Sequence, residues 1–118
     1  MKFVLSIDGG GIRGIAVAQF LKRLEDILDT PVNELFDMFI GTSVGGLISI
    51  KLASGDTVGD CVELCTRPNM KTIMDKSWWD VVTPVQFSTK YDGKGIKKIV
   101  YKYIKNIPIN ECKKKLLI

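Results

Sequence analysis

Apolar runs alternate with amphipathic stretches over the first half of the chain. Residues 3–7 and 36–40 are mostly apolar and each precedes a group of small residues, which is typical of buried parallel strands. Residues 17–28 place apolar side chains at helical spacing, and the helix is expected to end before Thr30-Pro31. Residues 44–53 predict a second helix, ended by Ser54-Gly55. Two successive βα units indicate a parallel sheet with helices on its faces.

The second half is less regular. Thr57 and Asp60 predict a capped helix that the Arg67-Pro68-Asn69 segment breaks or kinks. Residues 77–91 follow neither the strand nor the helix period and predict a connecting loop. Asp92-Gly93 predicts the cap of a further helix that Pro108 brings to an end, and a strand is expected to begin at Leu116. The apolar stripe of that further helix consists of Ile96, Ile99, Val100 and Tyr103.

The charge is unevenly distributed. The chain has 118 residues with 46% hydrophobic and 25% charged side chains, as in one ordinary globular domain. Residues 1–60 carry a net charge of −3 and residues 61–118 carry +7, which gives the formal total of +4. Attraction to an anionic membrane surface or to nucleic acid is one explanation, and a solvated helix face is the other. We favour the solvated face and expect no nucleic-acid partner.

The cysteines predict no metal site and no complete disulfide framework. The chain has three cysteines, Cys61, Cys65 and Cys112, so they cannot all pair within it. It also has no histidine to complete a zinc site. We expect thiols in a reducing compartment, no metal and no cofactor. The apolar start ends at Asp8, too early for a signal peptide, and no stretch approaches the roughly 20 apolar residues of a membrane span. The expected location is intracellular, in the cytoplasm, with peripheral membrane contact at most.

The first glycine motif follows the first predicted strand. Gly9-x-Gly11-x-x-Gly14 matches the dinucleotide fingerprint, but that function requires a carboxylate after the next strand, where the chain has Gly41-Thr42. A phosphate-binding Walker loop is excluded because Ile15-Ala16 replace the required lysine and hydroxyl residue. Nucleotide binding is therefore a remote alternative.

The second motif, Gly41-x-Ser43-x-Gly45, is typical of a nucleophile elbow, a tight turn that exposes a serine hydroxyl between a strand and a helix. The helix N-terminus favours developing negative charge, and free N–H groups of the first glycine turn could converge on the same point. A serine hydrolase normally uses a histidine base, so a carboxylate or a lysine must replace it here. Lys51 is a poor candidate because it lies about 12 Å further along the helix.

Together, Asp8-Gly9-Gly10-Gly11-Ile12-Arg13-Gly14 and Gly41-Thr42-Ser43-Val44-Gly45-Gly46 resemble the patatin-like phospholipases, most strongly over residues 4–55. The resemblance implies a three-layer α/β/α sandwich with a mainly parallel sheet, and a lipid acyl hydrolase with a Ser-Asp dyad. It assigns Ser43 as the nucleophile, and Gly41, Thr42, Val44 and Gly45 as its elbow. The backbone amides of Gly9, Gly10 and Gly11 would form the oxyanion hole in the glycine-rich loop that continues to Gly14, with Arg13 supporting that loop.

The dyad aspartate is not identifiable. The family carries it in a downstream Asp-Gly-Ala/Gly motif that this sequence lacks, and Asp92-Gly93-Lys94 is more consistent with a helix cap. We therefore interpret residues 1–118 as the N-terminal portion of a patatin-like domain, cut before that motif and incomplete on its C-terminal side. Trp78, Trp79 and Phe87 are expected in the core rather than at a membrane interface.

Two functions remain open. The leading hypothesis is an enzyme of phospholipase A type that cleaves carboxylic esters of lipids at an interface. The alternative is an inactive, truncated or split relative that acts as a binding or partner subunit. In that case a partner chain or an oligomer would complete the domain.

Overall fold

A computed structural model describes residues 1–73 and 94–118. Three strands form one sheet: β1 (Val4–Ile7), β2 (Met38–Gly41) and β3 (Lys115–Leu117). The helices are α1 (Gly14–Leu28), α2 (Val32–Leu35), α3 (Val44–Ala53), α4 (Val58–Leu64), α5 (Arg67–Ile73) and α6 (Lys94–Tyr103), with short 3₁₀ turns at Gly11–Arg13 and Ile109–Glu111. The predicted loop over 77–91, its aromatic residues and the predicted Asp92-Gly93 cap lie outside the described residues.

The sheet is parallel, with β2 between β1 and β3. This arrangement confirms the predicted α/β class and the strand expected near Leu116. Ile7 pairs with Gly41, so the turns that follow β1 and β2 emerge side by side at the carboxyl edge of the sheet. Lys115 pairs with Met38 and therefore lies at the opposite edge.

Within the described residues, the sheet is covered on one face. Ile7, Phe39 and Gly41 point toward α3 and are buried. Residues of the other face remain open to solvent, with 52% exposure at Val4 and 54% at Leu117. The prediction of a buried strand over residues 3–7 therefore holds for Ile7 but is wrong for Val4, because no described element packs against the face to which Val4 points.

The apolar stripe of α1 is only partly buried. Leu21 is 1% exposed, whereas Phe20 is 67% and Ile27 is 65% exposed. Helical spacing correctly predicts the helix and its end at Leu28, but burial also requires a neighbour on each part of the stripe. In the described structure, α1 packs mainly against α4, which covers only the inner side.

Two short helices were not predicted. The four residues of α2 precede β2, which begins at Met38 rather than Phe36. Directly before this strand, the Asp37 carboxylate accepts hydrogen bonds from the Phe3 N–H and the Lys2 ammonium, both at 2.9 Å. The predicted break at Arg67-Pro68 is the start of α5, and proline is tolerated in a first helical turn. The capped helix at Thr57 is confirmed as α4 with its capping box.

A buried ion pair connects α3 to the C-terminal part of the described chain. The Lys51 ammonium lies 2.7 Å from the Asp56 carboxylate and 2.7 Å from the backbone carbonyl of Tyr103, where α6 ends. Lys105 forms a second ion pair with Asp56. Burial raises the pKa of Asp56, but hydrogen bonds from Lys105 and Lys51 outweigh it and leave the pKa below its ordinary value. No helix in the described ranges is long and apolar enough to cross a membrane.

Candidate active site

Ser43 occupies a strained turn between β2 and α3. Its backbone has φ 54° and ψ −128°, a region that residues other than glycine rarely adopt. A side chain at Gly41 would collide with the backbone of Gly45, so the turn closes tightly only with these small residues. Ser43 is exposed, whereas Val44 directly after it is buried. This arrangement has the tight, strained turn expected of a nucleophile elbow, and the nucleophilic role of Ser43 stays a prediction.

The glycine turn after β1 touches this elbow. A Cβ atom added to Gly9 would lie 3.0 Å from the Cβ of Ser43. A Cβ atom at Gly45 would collide with the carbonyl oxygen of Ile7, and one at Gly14 would collide with the Val44 side chain. These positions let the two motifs approach to backbone contact. The structure thus brings together the two segments that the sequence singles out.

The amides of the glycine turn are not equivalent. The Gly9 N–H donates to the hydroxyl of Thr42 at 3.0 Å. The N–H groups of Gly10 and Gly11 have no acceptor within residues 1–73 and 94–118. In the described part of the chain they are therefore unpaired donors of the turn that contacts Ser43 through Gly9. Such groups stabilise an oxyanion when they point at the position where negative charge develops.

Arg13 holds the turn from the other side. Its backbone N–H donates to the Gly10 carbonyl at 3.1 Å, and its side-chain Nε approaches the same oxygen at 3.5 Å. Gly11 adopts φ 54°, which allows the chain to reverse between Gly10 and α1. The supporting position expected for Arg13 agrees with these contacts, although its role in a reaction stays a prediction.

No base for Ser43 is evident among the described residues. The whole chain lacks histidine. Lys51 is buried at the far end of α3 and is already paired with Asp56. Asp8 is exposed, and its carboxylate has no hydrogen-bond partner in the described part of the chain. We also find there no group of three or more potential metal ligands.

The buried thiols of Cys61 and Cys65 are unsuited to nucleophilic chemistry. Burial raises the pKa of Cys61 to about 12 and that of Cys65 to about 11. Both thiols are therefore protonated at neutral pH, and both are free and buried. Ser43 is the exposed nucleophile candidate at this edge of the sheet.

Comparison with known proteins shows the ancestry of this site. The sequence pattern of the patatin-like phospholipase family, described as "Patatin-like phospholipase", matches residues 5–118. The chain belongs to this family. The match covers both glycine motifs and all described helices and strands from Leu5 onward. The three-stranded parallel sheet with its helices is compatible with the α/β/α fold of the patatin-like proteins.

Three relatives indicate how far the similarity extends. A cGAMP-activated phospholipase of Pseudomonas aeruginosa is 27% identical over 115 residues, which is 98% of this chain and 34% of that protein. Phospholipase A I of Arabidopsis thaliana is 47% identical over 49 residues, 42% of this chain and 4% of that protein. The human calcium-independent phospholipase A2-gamma is 43% identical over 49 residues, 42% of this chain and 6% of that protein. The chain thus spans about a third or less of these relatives.

Proposed function

We propose that this patatin-like chain carries the nucleophile and the oxyanion-binding turn of a lipid acyl hydrolase. The observation that carries the proposal is the contact between the Ser43 elbow and the glycine turn, with 3.0 Å between the Ser43 Cβ and the position of a Cβ on Gly9. This contact supports a site in which the Ser43 hydroxyl and the unpaired amides of the glycine turn act on the same ester group. The phospholipase names of the relatives support a lipid ester as the substrate.

The reaction would proceed through an acyl-enzyme. The Ser43 oxygen attacks the ester carbonyl carbon and loses its proton to a base, and the carbonyl oxygen becomes an oxyanion facing the Gly10 and Gly11 amides. The intermediate collapses, the carbon–oxygen bond to the alcohol breaks, and the alcohol leaves with a proton. Water then attacks the acyl-enzyme by the same route, which releases the fatty acid and restores the hydroxyl.

The base that takes the Ser43 proton is proposed from the family resemblance. Family resemblance implies an aspartate from a downstream Asp-Gly-Ala/Gly motif, which this sequence lacks. We therefore propose that residues 1–118 form the N-terminal portion of the domain and that the carboxylate comes from beyond this portion or from a partner chain. Losing one member of a catalytic set costs several orders of magnitude in rate, so the chain alone would react slowly.

One observation favours the alternative, a partner subunit without activity of its own. The open sheet face exposes Val4 and Leu117, and Phe20 on α1 is also exposed. Beside the glycine turn, the free edge of β1 lines a groove of about 490 Å³ with largely apolar side chains. Apolar surface of this kind is typical of a contact with another element.

Labelling with a fluorophosphonate tests the two functions, because this probe reacts with activated serines. We compare the wild type with Ser43→Ala, and use Ser6→Ala as the matched control since Ser6 is also exposed at the same sheet. Labelling lost only in Ser43→Ala would support the hydrolase. A folded wild type that is not labelled would refute activity of this chain and favour the partner subunit. Analytical sedimentation would then measure whether the chain associates.

A further inference from the structure

The residue before the nucleophile makes a contact that the elbow itself does not need. Thr42 is exposed, and its hydroxyl oxygen accepts the Gly9 N–H at 3.0 Å. Its backbone N–H donates to the Ile7 carbonyl at 3.3 Å, and its carbonyl accepts from Gly46 at 3.2 Å. Thr42 is therefore bonded to the end of β1, to the glycine turn and to the first turn of α3.

The side-chain bond is the direct polar link between the two motifs within the described residues. β1 and β2 are joined by ladder hydrogen bonds up to Ile7 and Gly41. The ladder ends at that pair, and glycines alone would leave the first turn free to move because they restrict the backbone least. A hydroxyl placed opposite Gly9 fixes where this turn begins.

We propose that Thr42 is a positioning residue that uses the Gly9 amide to hold the glycine turn, so that Gly10 and Gly11, rather than Gly9, offer their amides to the oxyanion. This inference rests on the proposed hydrolase function but assigns different roles within the turn. The Gly9 donor is satisfied by Thr42, whereas the next two amides have no acceptor in residues 1–73 and 94–118. An oxyanion hole needs donors held rigidly before the reaction, and a misplacement of about 1 Å can cost 100-fold in rate.

The substitutions Thr42→Val and Thr42→Ser separate the hydroxyl from the shape of the side chain. Valine retains the branched shape but cannot accept the Gly9 N–H, whereas serine keeps the acceptor. We expect amide exchange at Gly9, measured by NMR, to accelerate roughly 5- to 10-fold in Thr42→Val. In Thr42→Ser it should stay within about 2-fold of the wild type.

The same variants are compared in their rate of fluorophosphonate labelling at Ser43. We expect a loss of about 10-fold or more in Thr42→Val with an unchanged melting temperature, and recovery to within about 3-fold in Thr42→Ser. Thr30→Val is the matched control, because the Thr30 hydroxyl also makes a 3.0 Å bond to the backbone, at the far end of α1. It should alter neither Gly9 exchange nor labelling.

Two results would overturn the inference. Unchanged Gly9 exchange in Thr42→Val would show that the hydroxyl does not hold the turn. Faster labelling in Thr42→Val would show that Thr42 competes with the oxyanion for Gly9. A wild type that is never labelled would refute the proposed hydrolase activity, while Gly9 exchange would still decide whether Thr42 positions the turn.

Discussion

Replacing Ser43 with glycine should give a more stable protein than replacing it with alanine. Ser43 holds φ 54° and ψ −128°, the mirror image of a common extended conformation, which glycine adopts without strain. A residue with a side chain in such a region costs about 1–3 kcal/mol. Glycine loses about 0.5–1 kcal/mol more conformational entropy on folding than alanine does. The difference predicts that Ser43→Gly is more stable than Ser43→Ala by about 1 kcal/mol.

Alanine is the proper reference because it also removes the hydroxyl and keeps the strain. Thermal and urea unfolding of both variants measure the effect, and about 1 kcal/mol corresponds to a rise of roughly 3–6 °C in melting temperature for a domain of this size. Ala16→Gly is the control, since Ala16 is an exposed residue within α1 and should lose about 1 kcal/mol. At Ala16, glycine should be less stable than alanine. If glycine is also less stable than alanine at position 43, then the backbone at Ser43 stores no strain and the prediction is refuted.

The buried ion pair and the contact at Gly9 lead to three further predictions. Asp56→Asn should lower the free energy of unfolding by about 3–5 kcal/mol, because Lys51 stays buried with only neutral oxygen atoms as partners. Lys51→Met leaves Asp56 paired with Lys105 and should cost less. Because folding lowers the pKa of Asp56, the carboxylate contributes fully to the free energy of unfolding above the ordinary carboxyl range. This contribution is lost as the pH falls through the lowered pKa. Urea unfolding between about pH 7 and 2 should show the loss in the wild type and a flatter profile in Asp56→Asn. Gly9→Ala should reduce labelling of Ser43 by about 10-fold or more, because the new methyl group would sit 3.0 Å from the Ser43 Cβ. Gly59→Ala, at an exposed position of α4 where the new methyl group would make only an ordinary 3.4 Å contact with the Thr57 hydroxyl, should be labelled like the wild type. Equal labelling of both variants would contradict the proposed contact.

The features that sequence predicts well here are local. The strand, turn and helix around Ser43 follow from a short apolar run, small residues and a helical segment that adjoin one another, so no distant contact is needed to predict them. The capping box at Thr57 is predicted for the same reason. The catalytic roles of these residues remain predictions that labelling must test.

The features that sequence predicts poorly depend on which helices and strands pack against each other. Phe20 belongs to a helical stripe, but its exposure depends on the neighbours of α1. The four residues of α2 are too few to show a helical period. Two side chains acquire their hydrogen-bond partners only when distant segments of the chain meet. Lys51 binds the carbonyl of Tyr103, and Thr42 binds the N–H of Gly9. The threonine stands inside a conspicuous motif, yet no spacing rule indicates that its hydroxyl reaches the neighbouring turn.

The place of β3 in the sheet has a consequence for synthesis of the protein. β2 is complete once Gly41 has left the ribosome, but its second edge pairs with Lys115–Leu117 at the other end of the described chain. At about 5–20 residues per second, translation leaves that edge unpaired for roughly 4–15 seconds. An unpaired strand edge is a template for other chains, and non-local parallel pairing forms slowly. The nascent chain is therefore prone to aggregate in the interval before β3 emerges, and slower translation would prolong this exposure.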